Sequence, residues 1–303
     1  MKTLTVFTPT YNRAYILPQL YESLKNQRCK DFAWLIVDDG SSDTTKEIVE
    51  GWISESLVDI TYVYQENGGK MRAHNKGVSM CTTPLFFCVD SDDSVYPNTI
   101  ERIVQEYQTL VHHADYEHLI GMIAKRYMKG RHNYDAPQRE TITLAGLYEA
   151  GYKGETAIVF RTDVIRKFPF PEIMGEKFVP ENYSYRLIDQ KYNYLLYNES
   201  WVICEYQADG YCMNWTKNYH ENPKGWALYY SQSYDLCAKT IKEKVKTMSM
   251  YVCFCLIAKR SLLKTICKSS SMPVCLLSIP FGYRYYKQHL DSYKNYLKNK
   301  ELQ

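Results

Sequence analysis

Long apolar stretches and a strong charge of one sign are both missing from this sequence. The apolar segments at 248–258 and 272–283 fall well short of the ~20 residues that a membrane-spanning helix needs. The formal net charge of +3 is too small to indicate binding to nucleic acid. With 303 residues, 45% of them hydrophobic, the chain is long enough to bury a substantial core as one large domain or two smaller ones.

Metal-binding cysteine patterns and the common glycine-rich phosphate loops are missing too. The ten cysteines form no CxxC pair and no Cys/His finger spacing, so we expect no zinc site. Neither GxGxxG nor GxxxxGK[ST] occurs, which argues against a dinucleotide site or a P-loop. Met1-Lys2 leads directly into a strand pattern without a signal-peptide pattern, and we therefore expect a reducing cytoplasmic location.

Strand and helix patterns alternate through the first half of the chain. Apolar runs predict strands at 4–8, 33–37, 60–64 and 85–89, and a helical pattern follows each of them. Pro9 is expected to end the first strand. This alternation predicts an α/β fold with a mostly parallel central sheet flanked by helices.

A polar cluster follows each predicted strand. These clusters read TPTYNR at 8–13, DDGSSD at 38–43, NGGK at 67–70 and DSDD at 90–93. Ligands of parallel α/β sheets bind beyond the carboxyl ends of the strands. The four clusters should therefore gather along one edge of the sheet and form a binding site there.

The DSDD segment is the most unusual of the four clusters. Asp90, Asp92 and Asp93 crowd one strand end, where carboxylates repel one another unless a positive charge lies among them. Ligation by oxygen alone suits Mg²⁺ or Mn²⁺ better than zinc, and such an ion would hold phosphate oxygens. A polar turn with a helix cap is the simpler alternative, and a cap or first-turn position is the prediction for Asp43.

Other residues of the same edge suit a nucleotide. Asp38 and Asp39 offer acceptors for the imide N–H of a uracil-like base. Lys70 and Arg72 would bring positive charge to a phosphate, and the Tyr11 ring would stack on a base. The two glycines before Lys70 are more typical of a turn than of a phosphate cradle.

Taken in order, these motifs resemble those of glycosyltransferase family 2, the inverting enzymes with a GT-A fold. The matching segments are TPTYNR, VDDGSSD, NGGKMRAHNKG and VDSDD. The resemblance is strong over about residues 3–110 and weaker to about residue 230. It implies a Rossmann-like GT-A catalytic domain at 1–230, with a nucleotide-sugar-binding half at 1–110 and an acceptor-binding half at 111–230. A helical, basic and aromatic region at 231–303 would follow.

The resemblance also implies a role for each matching residue. Asp39 would meet the nucleotide base, Asp90 the ribose, and Asp92 would be the direct ligand of Mn²⁺ or Mg²⁺. The remaining expected nucleotide-binding residues are Thr8, Pro9, Tyr11, Arg13, Asn67, Lys70 and Ser91.

Inverting transfer needs a carboxylate that takes the proton of the acceptor hydroxyl. The segment GEKFVPEN resembles the acceptor side of the family, where Glu-Asp is frequent and this chain has Glu181-Asn182. Glu181 is the predicted base and Glu176 the second choice, while Asp189 is expected to be exposed or ion-paired. The alternative for Glu181 is an electrostatic partner of a helix N-terminus.

The C-terminal third is rich in aromatic and basic residues. Many of the 29 tyrosines lie beyond residue 180, where they would either bind sugars and membrane or fill a core. The segment around Trp215 and His220 resembles a loop that closes over the donor, although a lone His is more often solvated. Lys and Arg flank the two apolar segments, which favours peripheral membrane contact over a packed helical pair.

These observations predict a metal-dependent inverting glycosyltransferase. Its donor would be a nucleotide-diphosphate sugar, most readily a UDP-sugar, and its acceptor a glycan or a polyprenyl-diphosphate-linked oligosaccharide at the inner face of the cell membrane. Capsular or exopolysaccharide synthesis is the expected process. The alternatives are a nucleotidyltransferase, a phosphatase with an aspartyl nucleophile, and a glycan-binding protein without catalysis.

Overall fold

A computed structural model describes residues 2–205, 207 and 215–301. The chain forms two compact units. The first comprises Met1–Phe170 and Ser184–Glu205, and the second comprises Pro171–Tyr183 and Tyr206–Gln303. The predicted boundary at residue 230, between a catalytic domain and a helical C-terminal region, concerns function and stays a prediction.

The first unit is built on a sheet whose first four strands are parallel. They pair in the order β3-β2-β1-β4, which confirms the predicted parallel arrangement. The strands are β1 (Leu4–Thr10), β2 (Phe32–Asp38), β3 (Ile60–Tyr64) and β4 (Leu85–Cys88), and the helices between them are α1 (Leu17–Lys25), α2 (Thr45–Glu55) and α3 (Lys70–Met80).

The same sheet continues with strands of both directions. From β4 the order is β8-β6-β9-β5, with β7 also on β9; β8 is antiparallel to both its neighbours, whereas β6 and β9 are parallel. Among the residues that the structure describes, six of the nine strands of this sheet thus run the same way. The other strands and α-helices up to Cys204, of which α7 begins two residues before this unit resumes at Ser184, are β5 (Ser94–Val95), α4 (Thr99–Val111), β6 (Leu119–Met128), β7 (Thr141–Ile142), α5 (Leu144–Glu149), β8 (Thr156–Arg161), α6 (Thr162–Ile165), α7 (Asn182–Asp189) and β9 (Asn193–Cys204).

The first strand is longer than the sequence suggests. Strand β1 includes Pro9 and ends at Thr10, so the predicted end at Thr8 is wrong. Pairing with β4 already ends at Phe7, whereas pairing with β2 continues to Thr10. The missing N–H of Pro9 therefore removes no bond from either ladder, since the strand is an edge on one side at that point.

Alternation along the strands separates two cores, one on each face of the sheet. Val6, Trp34 and Phe87 belong to the face covered by α1, α2 and α4, whereas Phe7 and Phe86 belong to the face covered by α3. Helix α3 lies very close to β1: a Cβ added at Gly77 would lie 2.3 Å from Cε2 of Phe7. Only glycine permits this approach.

The second unit is helical, with an aromatic core. Its described helices are α8 (Trp215–Glu221), α9 (Pro223–Leu236), α10 (Ile241–Ile257), α11 (Leu262–Cys267) and α12 (Met272–Glu301). The Trp226 ring contacts Tyr219 and Phe254 at centroid distances of 4.8 and 5.6 Å. These rings pack against one another, so they fill a core, which is one of the two roles considered above for the aromatic residues. Among the described residues, no helix is long and apolar enough to cross a membrane.

Candidate active site

The loops that follow β1 and β2 are joined by hydrogen bonds. The amide of Asn12 donates to Oγ of Ser41 at 2.8 Å, and the amide of Ser42 donates to Oδ1 of Asn12 at 2.8 Å. Asp43 lies one residue before Thr44, the N-cap of α2, rather than at the predicted cap or first-turn position, and it accepts from the amide of Thr45 at 3.1 Å. The same carboxylate accepts from the amide of Ala14 at 3.0 Å. The two predicted clusters are therefore one connected surface.

Asp38, the last residue of β2, and Asp39, which follows it, have different hydrogen-bond partners. Asp38 accepts from the amide of Ser41 at 2.7 Å and from the Tyr62 hydroxyl at 2.6 Å. Both of its oxygens are thus engaged in joining the strand to its own loop and to β3. Each of these oxygens still has a lone-pair position left, so the role of Asp38 as an acceptor for a base stays a prediction.

Asp39 holds the glycine turn that begins α3. Its carboxylate accepts from the amides of Gly68 and Gly69 at 2.8 and 2.7 Å, and from the Gln65 amide group at 2.7 Å. Only 4% of Asp39 is exposed. A carboxylate offers about four lone-pair positions, so one remains for a donor group of a ligand.

Two glycines with positive φ lie in the turns beside Asp39. Gly69, with φ 93°, caps α3, and Gly40 has φ 87°. A Cβ at Gly40 would lie 2.8 Å from the backbone nitrogen of Asn67, whose side chain donates to the Asp39 carbonyl at 2.7 Å. The NGG segment is therefore a turn, as predicted, and it is fixed to the end of β2.

The DSDD segment lies among cations. Nζ of Lys70 is 2.8 Å from Oδ1 of Asp90. The Arg126 guanidinium, which extends from β6, is 2.8 Å from Oδ2 of Asp93 and 3.5 Å from Oδ2 of Asp90. The structure therefore brings the third and fourth predicted clusters together and adds a second cation.

The charges of this cluster shift the pKa of its carboxyls in different directions. Burial raises the pKa of Asp90, but the charges of Lys70 and Arg126 outweigh it and hold that pKa well below the usual range. Burial and the neighbouring Asp90 raise the pKa of Asp92, against the opposing charges of Arg13 and Lys70. Burial also raises the pKa of Asp93, against the charge of Arg126. Asp92 is thus a carboxyl whose pKa is raised both by burial and by a neighbouring negative charge.

Arg126 is a site residue that sequence reasoning missed. It lies in β6, where LIGMIA is followed by a lysine and an arginine in a single strand. Its Nε also donates to the Thr156 carbonyl at 3.0 Å, which fixes the guanidinium to β8. A cation that interrupts a buried strand is the signal that would have singled it out, because buried charges are normally paired.

The expected nucleotide-binding residues differ in how much of them a ligand could reach. The Thr8 hydroxyl accepts from Nε1 of the buried Trp34 at 3.0 Å, and Pro9 and Ser91 are buried as well. Tyr11 is 50% exposed directly beyond β1. Arg13, in the same loop, donates to the Tyr15 hydroxyl at 2.6 Å. Tyr11 and Arg13 thus offer side chains to a ligand, whereas the side chain of Thr8 faces the core.

A divalent cation fits this edge of the sheet only if the protein and a bound diphosphate share its ligation. Within the described parts of the chain, no group of three or more His, Cys, Asp or Glu residues could hold a metal by itself. Asp92 supplies one carboxylate that is crowded by Asp90. Magnesium-type ions are commonly held by one or two carboxylates together with substrate phosphates. The donor set therefore fits an ion that is completed by a diphosphate.

The two predicted bases lie in the second unit. Glu176 accepts from the amides of Lys224 and Gly225 at 2.9 and 2.8 Å, so both of its oxygens cap the start of α9. Glu181 directly precedes α7 and is half-buried. Asp189 is half-buried rather than exposed, and its carboxylate accepts from two amides at the start of α5.

The segment predicted to close over a donor is partly helical. Residues 212–214 lie outside the described part of the chain, and Trp215 begins α8. His220 stacks on Tyr293 with ring centroids 4.1 Å apart, and its Nε2 is 3.2 Å from the His289 carbonyl. His220 is therefore packed against α12 and is not simply solvated.

Comparison with known proteins gives a family match over the first unit. A family model described as Glycosyl transferase family 2 matches residues 5–168, more than half of the chain. The glycosyltransferase GlyG of Streptococcus pneumoniae is 33% identical over 106 residues, which cover 35% of this chain and 35% of GlyG. A teichoic acid poly(glycerol phosphate) polymerase of Staphylococcus epidermidis is 31% identical over 108 residues, 35% of this chain but 15% of the polymerase. The chain thus spans about a third or less of these two relatives.

Solved structures share the fold over almost the whole chain. S. aureus TarS 1–349 in complex with UDP-GlcNAc superposes with a TM-score of 0.59 at 16% identity, covering 97% of this chain and 92% of TarS 1–349. The mannosyltransferase PcManGT of Pyrobaculum calidifontis, in complex with GDP-Man and Mn²⁺, gives 0.53 at 16% identity, with 96% and 83% covered. At these identities the likeness shows the fold alone, and it confirms the predicted GT-A architecture.

Proposed function

Since the chain belongs to glycosyltransferase family 2, we propose that it transfers a sugar, with inversion, from a nucleotide-diphosphate donor to a glycan acceptor in a metal-dependent reaction. The observation that carries this proposal is the cluster of Lys70, Asp90 and Arg126 beside Asp92. It combines two cations with a carboxyl whose pKa is raised by burial and by Asp90, at the carboxyl end of the parallel strands. Such an arrangement suits a diphosphate together with a divalent ion.

A UDP-sugar is the preferred donor. Asp39, fixed by three hydrogen bonds, keeps acceptor capacity for the imide N–H of uracil, and the exposed ring of Tyr11 suits stacking on the base. The similar TarS binds UDP-GlcNAc, and the similar PcManGT binds GDP-Man with Mn²⁺. Mn²⁺ or Mg²⁺ is the ion that we expect on Asp92.

The proposed roles divide the chemistry between carboxylates and cations. When bound, the divalent ion neutralises charge on the diphosphate leaving group. Lys70 and Arg126 add fixed positive charge, and Asp90 keeps both cations in place while it meets the ribose. Asp92 contributes the ligand oxygen for the ion.

Glu181 is the proposed general base. It takes the proton of the acceptor hydroxyl while that oxygen bonds to the anomeric carbon and the bond from this carbon to the diphosphate breaks. An α-linked donor then gives a β-linked product. Glu176, whose two oxygens both cap the start of α9, is the second choice.

The acceptor is proposed to be a growing surface glycan. A glycan or a polyprenyl-diphosphate-linked oligosaccharide, met at the inner face of the cell membrane, would suit a chain of this family. The match to a teichoic acid polymerase supports a place in capsular or other surface polysaccharide synthesis. No observation favours a nucleotidyltransferase, a phosphatase or a non-catalytic glycan-binding protein.

Calorimetric titration with UDP tests the donor site. We expect Mn²⁺ to strengthen binding about tenfold or more in the unmodified protein, and Asp92→Asn to remove most of this gain. The control is Asp291→Asn, which alters an exposed carboxylate of α12. Equal binding with and without the ion, or an unchanged response in Asp92→Asn, would contradict the proposal.

A further inference from the structure

One face of α12 carries large apolar side chains that the second unit does not cover. Along its first ten residues, Met272, Leu276, Leu277 and Phe281 are each 51–58% exposed. Their spacing of one, four and five positions places them on one side of the helix. Exposed apolar side chains that stand together in this way mark an interaction surface rather than random surface residues.

The opposite face of α12 fixes the orientation of this stripe. Cys275, Ser278 and Gly282 are buried, and the Ser278 hydroxyl donates to the Val245 carbonyl of α10 at 3.3 Å. A Cβ at Gly282 would lie 2.7 Å from Cβ of Val252, so the two helices touch closely there. The helix cannot rotate its apolar stripe into the core without losing this contact.

Positive charge surrounds the stripe. Residues 259–290 contain six Lys or Arg and no Asp or Glu. Lys264 and Lys268 are exposed on and just after α11, which contacts α12 and also exposes Leu262 and Leu263. Arg284 and Lys287 are exposed on α12, one and two turns beyond Phe281. Apolar side chains with a basic border are typical of segments that lie in the headgroup region of anionic membranes.

We propose that this lipid-facing surface, formed by Met272, Leu276, Leu277 and Phe281 with the surrounding Lys and Arg residues, binds an anionic lipid bilayer. The apolar side chains enter the headgroup boundary, while the cations meet lipid phosphates. A second copy of the chain fits this surface less well, because a two-fold interface would bring the same cations together. The assignment gives a physical basis to membrane contact without relying on any step of sugar transfer.

Co-sedimentation of the full chain with vesicles tests the assignment. The unmodified protein is expected to bind vesicles of phosphatidylglycerol and phosphatidylcholine at least tenfold more tightly than vesicles of phosphatidylcholine alone. The variant Leu276→Gln/Leu277→Gln/Phe281→Gln should lose at least tenfold in affinity for the anionic vesicles. Its matched control, Ile53→Gln/Leu57→Gln, removes exposed apolar side chains from the first unit and should bind like the unmodified protein.

A second variant keeps the test decisive if the triple substitution fails to fold. Arg284→Gln/Lys287→Gln retains the apolar stripe and should weaken binding to anionic vesicles. Because fewer charge–charge contacts remain, the affinity of this variant should fall less steeply with salt concentration than that of the unmodified protein. Equal binding to both vesicle types, or no loss in either variant, overturns the assignment. A dimer in sedimentation velocity that dissociates in the triple variant, without vesicle binding by the unmodified protein, assigns the surface to a second copy instead. UDP binding is expected to be the same in all of these variants, so a failure here is separate from a failure of the donor site.

Discussion

Asp39 in the first unit and Glu176 in the second make nearly the same contacts. Each carboxylate accepts from two successive backbone amides at the start of a helix, at 2.7–2.8 Å for Asp39 and 2.8–2.9 Å for Glu176. The positive end of a helix stabilises a carboxylate in both places. The contacts that hold an acid therefore do not reveal whether it also binds a ligand.

What separates the two carboxylates is their surroundings. The helix that Asp39 holds begins with Lys70, whose amine pairs with Asp90 in the DSDD segment. The helix that Glu176 holds begins with Pro223 and contributes Trp226 to an aromatic core. The same local motif thus organises a charged cluster in one unit and hydrophobic packing in the other.

The sharpest test of this contrast compares Glu181 with Glu176. We expect Glu181→Gln to lower the rate of sugar transfer by about 10²–10⁴-fold, because a positioned base contributes on that order, with UDP affinity unchanged. Glu176→Gln should lower the rate less than about tenfold and reduce stability instead. Single-turnover assays with a UDP-sugar and thermal unfolding would measure both. A larger rate loss in Glu176→Gln would reverse the assignment.

Removing Arg126 should have the next largest effect. Arg126→Met leaves Asp93, which is 4% exposed, without its cation, and breaking such a buried pair costs about 3 kcal/mol. Denaturant unfolding would show the loss, and UDP binding should weaken as well. The double variant Arg126→Met/Asp93→Asn should recover part of the stability but not the UDP affinity. If it recovers both, Arg126 has no role in binding.

The two capping carboxylates can also be compared directly. Asp39→Ala and Glu176→Ala should each cost about 2 kcal/mol of stability, because buried amides lose a charged acceptor. Only Asp39→Ala should also abolish UDP binding in calorimetry. Similar UDP affinity in the two variants would mean that Asp39, like Glu176, has a purely structural role.

The smallest expected effect concerns pH and the second unit. Burial lowers the pKa of His220 and also that of His289. Because the unfolded chain then binds protons more readily than the folded one, stability should fall as pH drops below the unfolded-state value of about 6.5. Thermal unfolding at pH 7.5 and 5.5 should show a smaller decrease in His220→Phe, which keeps a ring against Tyr293, than in the unmodified protein. An equal decrease in both proteins would exclude His220 as a contributor.

The sequence was most informative where local pattern alone determines placement. Four apolar runs with polar ends sufficed to predict that Asp39, Lys70 and Asp90 share one sheet edge, because parallel strands bring their carboxyl ends together. Arg126 escaped this reasoning, since it comes from a strand that joins the sheet through β8 and β9 rather than through its sequence neighbours. Pairing between strands that are distant in the chain produces no periodic pattern in the sequence from which it could be predicted.

The carboxylates of the second half were harder to interpret for a related reason. Glu176 and Asp189 each cap a helix about 45 residues away in sequence, and no capping signature links positions so far apart. Pro9 illustrates the opposite limit. Proline normally ends a strand, but β1 tolerates Pro9 because the pairing of β1 with β4 ends before this residue. Only the assembled sheet reveals where that pairing ends.

The glycine at position 77 has a consequence for the charged cluster that it never touches. Gly77 lies seven residues after Lys70, which is two turns along the same side of α3. Any side chain at this position would push α3 away from Phe7 and carry the helix start with it. The packing of α3 on the sheet thus helps to place the backbone of Lys70 relative to Asp90. Evolution could therefore adjust this charged cluster from a distant position without altering any of its own residues.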